Sequence, residues 1–202
     1  RACGMPQWGH HKKPFTSGLP SSGTWALQHT TRGRSDRGIA RPALAVRAIA
    51  DLARAAGAEG MVGGQQLDLD ASPGVSAPPE VEEIQLRKTA ALIASCARMG
   101  GILGGGDAAL VAALGAFGTR LGVLFQVTDD ILDETGSFEE MGKGTSKDRA
   151  RGKWTYPVAF GLEAAVARAG ELGREALGAL AVFGPEAEPL RELVRMVQAR
   201  RS

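Results

Sequence analysis

From Ala108 to about Glu134 the chain reads as one helix, and any fold has to be built around it. Leu110, Val111, Leu114, Phe117, Leu121, Leu124 and Phe125 recur at helical spacing, while Ala112, Ala113, Gly115, Ala116, Gly118 and Gly122 keep the other faces small. At 1.5 Å per residue such a helix is ~40 Å long, and its lack of a polar face predicts a central element contacted on several sides. Its far end carries FQVTDDILDETG, Phe125 to Gly136, with three carboxylates: Asp129, Asp130 and Asp133. Residues three or four apart share a helix face. Asp129 and Asp133 are therefore stacked, Asp130 lies one turn before Asp133, and Gln126 sits one turn below the pair. Acidic side chains near a helix C-terminus meet the negative end of the macrodipole. The cluster is either a solvated acidic helix end or a group that needs a cation.

The rest of the chain shows no strand pattern of useful length, so the expected fold class is all-α. Its 202 residues are 44% hydrophobic and 23% charged, enough for one ordinary domain with a real core. Aromatics are only 5%, which leaves the packing to Ala, Leu and Val. A formal charge of +2, without a basic stripe interleaved with aromatics, gives no case for nucleic acid. Cys3 and Cys96 make neither a disulfide framework nor a metal-ligand spacing, which fits a reducing cytoplasm. No apolar run approaches ~20 residues, so no membrane span is expected. The polar, Gly/Pro-rich N-terminus lacks the apolar core of a signal peptide.

Taken in order, residues 1–38 have neither helical nor strand period and are read as irregular. His10 and His11 are adjacent, a pattern more often solvated than metal-bound. A helix is expected after Arg41, with Pro42 in its first turn, Leu44, Ala48, Ile49, Leu52 and Ala56 along one stripe, and Gly57 at its end. GMVGGQQLDLD, Gly60 to Asp70, is a glycine-rich junction where backbones or a ligand come close. After a turn-rich connector, Asp70 to Pro79, a helix is expected from Glu80 to about Leu103. Glu80, Glu82 and Glu83 lie in its first turn and Val81, Ile84, Ala91, Leu92 or Ile93, and Cys96 form its apolar stripe. Lys88 and Thr89 fall in its middle, where a lysine either snorkels to water or meets an anion. Asp107 is a candidate N-cap for the central helix. Ser137 to Pro157 reads as a basic, glycine-containing loop with Lys143, Lys147 and Lys153. Helices are then expected over Tyr156–Leu180 and Glu186–Arg200, the last with Leu190, Leu193, Val194 and Val197 inward.

Acids beside several lysines suit a diphosphate held through magnesium. Mg²⁺ takes octahedral oxygen ligands, commonly one or two carboxylates with substrate phosphates and water, and lysines neutralise the remaining phosphate charge as point donors.

From about Ala40 the chain resembles the trans-polyprenyl diphosphate synthase family, of the farnesyl or geranylgeranyl type. The matching strings are GMVGGQQLDLD, RKTAAL (Arg87 to Leu92), ILGGG, FQVTDDILD, GKGTSKD (Gly142 to Asp148) and GKWTYP (Gly152 to Pro157), in family order and spacing. The resemblance implies an isoprenoid synthase-type helical bundle around a deep cavity. It implies a prenyltransferase that condenses isopentenyl diphosphate with an allylic diphosphate and uses Mg²⁺. By the same resemblance DDILD matches a second aspartate-rich motif, with Asp129, Asp130 and Asp133 as catalytic carboxylates and Asp129 and Asp133 on the metal. Lys88, Thr89, Gln126, Lys143 and Lys153 match the residues that hold the allylic diphosphate. Phe125 is placed to face the cavity, and a homodimer is the implied assembly.

The departures are as specific. The family's first aspartate-rich motif, with its arginine pair, has no counterpart upstream of Asp68, where Asp36 stands alone. The bundle is therefore expected to be incomplete at its N-terminal side, with residues 39–202 as the C-terminal part of a synthase domain. Residues 1–38 are unlike the family, and an out-of-frame translation of a truncated gene would account for them. The expected function is a synthase with impaired activity; the alternative is a non-catalytic partner subunit.

Overall fold

The computed structural model describes residues 41–71, 78–140 and 155–200, all of them helical or in short turns. The expectations for residues 1–38, for His10 and His11, and for Lys143, Lys147 and Lys153 lie outside the described residues. The helices are α1 (Pro42–Ala56), α2 (Met61–Asp70), α3 (Pro78–Gln85), a π-helical turn (Leu86–Ala90), α4 (Ala91–Leu103), α5 (Ala108–Glu140), α6 (Tyr156–Phe160), α7 (Leu162–Ala179) and α8 (Glu188–Ala199), the last preceded by a 3₁₀ turn at Pro185–Ala187. No strand occurs among the described residues, in line with the all-α expectation.

Helix α5 is the axis of the bundle, with α4, the π turn, α6, α7 and α8 packed on it. Asp107 caps it as expected, its carboxylate accepting from the Leu110 amide at 2.9 Å. The helix continues to Glu140, past the expected end at Glu134. The aspartate cluster is therefore inside the helix, and the macrodipole argument for its cation falls away. A second correction concerns membrane character. Over Ala108–Gly136 the helix is long and apolar enough to cross a bilayer, with a best-window mean hydropathy of 1.8. Arg120 and Thr119 interrupt the run in sequence but barely lower its average. In the fold Arg120 pairs with Glu175 of α7 at 2.7 Å, and the apolar faces are covered by neighbouring helices.

One main core joins α5 to α7 and α8 through Phe117, Leu121, Leu124, Val127, Ile131, Leu172, Leu180 and Val194. A smaller one joins Ala48 of α1 to Ile102 and Val111. Burying a Leu or Phe stabilises by roughly 1.5–3 kcal/mol, so the α5–α7 seam holds most of the apolar stabilisation. Helix α1 contributes less than its stripe predicted. Ala48 and Ala55 are buried, but Ile49 and Leu52 are exposed, because α1 leans on α4 along one narrow line.

The expected helix from Glu80 to Leu103 is continuous in direction but contains the π turn at Leu86–Ala90. A π turn inserts an extra residue and rotates everything after it. After it Ala90, Ala94, Ser95 and Ile102 are the buried positions, and Cys96, expected inward, is exposed. The helix expected over Tyr156–Leu180 is broken at Gly161, whose φ of +90° belongs to the region that favours glycine. At the far end Val194 is fully buried and Leu193 exposed, the reverse of an inward Leu193. Arg191 donates to the carbonyls of Leu180, Phe183 and Gly184, which fastens α8 to the turn that follows α7.

Candidate functional site

The site is assembled by a close antiparallel crossing of α5 with the π turn and α4. A Cβ on Gly118 would lie 2.6 Å from Ala94 Cα, and one on Gly122 would lie 2.5 Å from Ala90 Cα. These two glycines, four apart on one face, meet two alanines four apart, so the backbones approach as only small residues allow. Continuing the register down α5 brings Asp130 opposite Gln85, where the two side chains bond at 2.9 Å.

The three aspartates differ in their surroundings. Asp130 is buried, and its Oδ2 accepts from Gln85 Nε2 and from the backbone amide of Tyr156, both at 2.9 Å. It ties α3, α5 and the start of α6 together. Asp129 is only partly covered; its side chain is 33% exposed and lies 3.0 Å from the Arg200 guanidinium. Its Oδ1 is enclosed yet makes no hydrogen bond, so the Arg200 contact is one of charge and not of directed bonding. Asp133, one turn on, is exposed, and Gln126 is half-buried. Phe125 packs under the same guanidinium, whose carbon sits 5.0 Å from the ring centroid.

Lys88 and Thr89 occupy the π turn and are both partly exposed. The turn is held by α2, where a Cβ on Gly64 would fall 2.3 Å from the Lys88 amide nitrogen. The glycine-rich junction is thus a helix whose glycine admits the backbone carrying Lys88. One turn further along α2, Asp68 Oδ2 meets Lys88 Nζ at 2.6 Å. Asp68 is the site residue that sequence reasoning missed; its signal was the spacing Gly64–Asp68, which puts a glycine and an acid on one helix face. Lys88 and Asp129 do not pair with each other. Among the described residues Lys88 lies against Asp68 and Asp129 against Arg200.

Near the base of this face Tyr156 donates its hydroxyl to Glu82 at 3.2 Å. Burial, then the Glu82 charge and hydrogen bond, push its phenol above the usual range. On another side of α4, a cavity of about 270 Å³ is lined by Asp51, Arg54, Glu59, Leu86 and Arg98. Burial alone would raise the Asp51 carboxyl. The Arg98 hydrogen bond at 2.9 Å and the Arg98 and Arg54 charges outweigh it and hold the group below the usual carboxylate value.

No group of three or more His, Cys, Asp or Glu side chains is arranged for a metal among the described residues. An all-protein cage is therefore absent there. Magnesium does not need one, since it binds through one or two carboxylates and takes water and phosphate for the rest. Asp129, with an enclosed and unbonded oxygen beside a cation, and Asp133 on the same stripe fit that demand.

The family model for polyprenyl synthetase matches residues 43–180. Geranylgeranyl pyrophosphate synthase 3, chloroplastic, of Arabidopsis thaliana is 41% identical over 179 residues, covering 87% of this chain and 49% of the relative. An FPP/GFPP synthase from Zymomonas mobilis, solved in its apo form, superimposes with a TM-score of 0.66 at 33% identity, over 78% of this chain and 52% of that one. A geranyltransferase from Helicobacter pylori, complexed with magnesium and isoprenyl diphosphate, gives 0.64 at 32% identity, over 81% and 54%. The chain spans about half the length of these proteins.

Proposed function

The chain belongs to the polyprenyl synthetase family, and from that membership we propose that its helices form one wall of a site for an allylic diphosphate held through Mg²⁺. Asp129 and Asp133 would hold the metal, and Lys88, Thr89 and Gln126 the diphosphate, with Lys143 and Lys153 added from the sequence. The observation that carries this reading is the enclosed, unbonded Oδ1 of Asp129 beside the Arg200 guanidinium. A buried charged oxygen without a hydrogen bond is costly unless something completes it. The H. pylori structure, with magnesium and isoprenyl diphosphate in one protein, supports the same pairing of ligands.

The proposed reaction is condensation of isopentenyl diphosphate with the allylic diphosphate. When bound, Mg²⁺ neutralises charge that grows on the departing diphosphate. The chain's own part is positioning. Lys88 supplies a compact ammonium charge fixed by a close-packed π turn, which stabilises the departing group more than the bound ester. Gln126 offers an amide donor one turn from Asp129. The apolar stripe of α5 above them keeps water from the carbocation left when the carbon–oxygen bond breaks.

These 202 residues contain a single DDxxD pattern. A complete site needs a second acidic wall, so the chain by itself is expected to bind the Mg²⁺–diphosphate weakly and to turn over little. Incubation with labelled isopentenyl diphosphate and geranyl diphosphate tests this; robust product from the 202-residue chain would refute the half-site reading.

A second reading, a non-catalytic partner subunit, is favoured by one observation. Val46, Ile49, Val62 and Leu69 on α1 and α2 are 55–70% exposed, apolar side chains that another polypeptide can cover. The expected homodimer would draw on the same surface. Sedimentation of the chain alone, and product analysis after mixing it with a competent synthase, separate the two assemblies.

A further inference from the structure

Helix α8 ends at Ala199, and the next residue, Arg200, reaches back to α5. Its Nη1 lies 3.0 Å from Asp129 Oδ1, and its guanidinium rests over the Phe125 ring. Phe125 and Asp129 are four apart on one helix, so the cation is seated on a single stripe of α5 with a flat apolar floor and one acidic wall. We propose that Arg200 is an internal counter-cation for Asp129, which covers the carboxylate in the metal-free protein and withdraws when a divalent cation takes its place. The inference rests on the reading of Asp129 as a metal carboxylate given above.

Four features make the contact a replaceable cover and not a fixed structural bond. First, Asp129 Oδ1 makes no hydrogen bond, so the guanidinium neutralises the oxygen without a directed bond that a metal would have to match. Second, the Arg200 side chain is 45% exposed and can return to water with little loss. Third, Arg200 lies beyond the last helical residue, whereas α8 is fastened by buried Val194 and by the Arg191 contacts to the end of α7. The side chain can therefore swing without unpacking the helix. Fourth, Arg195 of α8 is already paired with Glu188 and Glu192, so among the described residues of this end Arg200 is the cation that reaches Asp129. A guanidinium and a divalent ion cannot share one carboxylate oxygen at contact distance, because their mutual repulsion exceeds what the oxygen returns to the weaker cation.

The consequence is a competition with a definite sign. Removing Arg200 should strengthen divalent-ion binding, although it removes an ion pair from the protein. The experiment uses the full 202-residue chain and Mn²⁺ as a paramagnetic substitute for Mg²⁺, with free Mn²⁺ read from its electron paramagnetic resonance signal and no diphosphate present. Arg200→Gln should tighten Mn²⁺ binding roughly two- to five-fold, the scale of a partly exposed ion pair. Phe125→Leu, which removes the floor under the guanidinium, should move it the same way by less. In an Asp129→Asn background Arg200→Gln should change nothing, as a double-mutant cycle requires of a contact acting only through Asp129. Unchanged or weaker Mn²⁺ binding in Arg200→Gln overturns the inference. If Asp129→Asn alone leaves Mn²⁺ binding untouched, the metal reading itself fails, a result distinct from failure of the Arg200 cover.

Discussion

Two adjacent aspartates in one motif should behave in opposite ways, and the contrast can be worked out from their surroundings. Asp130→Ala removes an oxygen that accepts from Gln85 Nε2 and from the Tyr156 amide, both at 2.9 Å, in a position only 8% exposed. A hydrogen bond to a charged group contributes about 1.5–3 kcal/mol, and leaving a buried donor unpaired costs about 1–3 kcal/mol. After partial relaxation a loss of about 3 kcal/mol is expected. For a chain of this size that lowers Tm by roughly 6–12 °C. Asp130→Asn keeps an acceptor oxygen without the charge and should lose about half as much. Asp129→Ala instead breaks a partly exposed contact with Arg200, and such pairs contribute about 1 kcal/mol or less. Its folding stability should be almost unchanged, while its diphosphate binding in magnesium should fall.

Urea or thermal melts of the three variants beside the parent chain decide the matter. If Asp130→Ala unfolds together with Asp129→Ala, within about 2 °C, the buried carboxylate does not tie α3, α5 and α6 together. The division of the motif into a structural and a ligand-facing aspartate would then be wrong.

Three further outcomes follow from the packing. Gly136→Ala, with nothing within 4 Å of the added Cβ, should stabilise by about 0.5–1 kcal/mol through helix propensity. Gly122→Ala in the same helix should instead destabilise by about 1 kcal/mol, overpacking against Ala90 outweighing that gain; equal melting shifts for the pair would refute the close crossing. Asp51→Asn should destabilise at neutral pH by about 1 kcal/mol. Because the Asp51 carboxyl is held below its usual value, its contribution is present above the unfolded pKa of about 3.9 and is lost as pH falls through the lower folded value. The difference between parent and variant should therefore vanish in strong acid, and a constant difference would contradict the assignment. Arg191→Ala should cost about 1 kcal/mol through the Phe183 carbonyl, which loses its donor, seen as a lower urea midpoint.

The helical class and the central place of α5 were legible because a period of 3.6 over so long a run has few other solutions. The cap at Asp107 and the stop at Gly57 were legible because each is a local choice of residue type. The π turn was not. Periodicity assumes an uninterrupted phase, and one inserted residue at Leu86–Ala90 redirects Cys96 outward without any mark in the sequence. The end of α5 was misplaced for a related reason, since Glu134 and Gly136 look like a stop while the helix continues through them. At the site, the carboxylates and Lys88 could be named from their strings. What divides Asp129 from Asp130 is a contact forty-five residues away in sequence, with Gln85, and nothing local encodes it. Asp68 and Arg200 were missed because their importance lies in the partners that helix packing brings to them.

On the proposed function, Asp129 holds a divalent ion through which this wall of the bundle binds a diphosphate. The most direct measurement of this is the affinity of the 202-residue chain for geranyl diphosphate by titration calorimetry, with and without Mg²⁺, in the parent and in Asp129→Ala. Binding should strengthen when Mg²⁺ is added to the parent, and the Mg²⁺ effect should disappear in the variant, with the fold intact in both. An unchanged Mg²⁺ effect in Asp129→Ala would contradict the proposal.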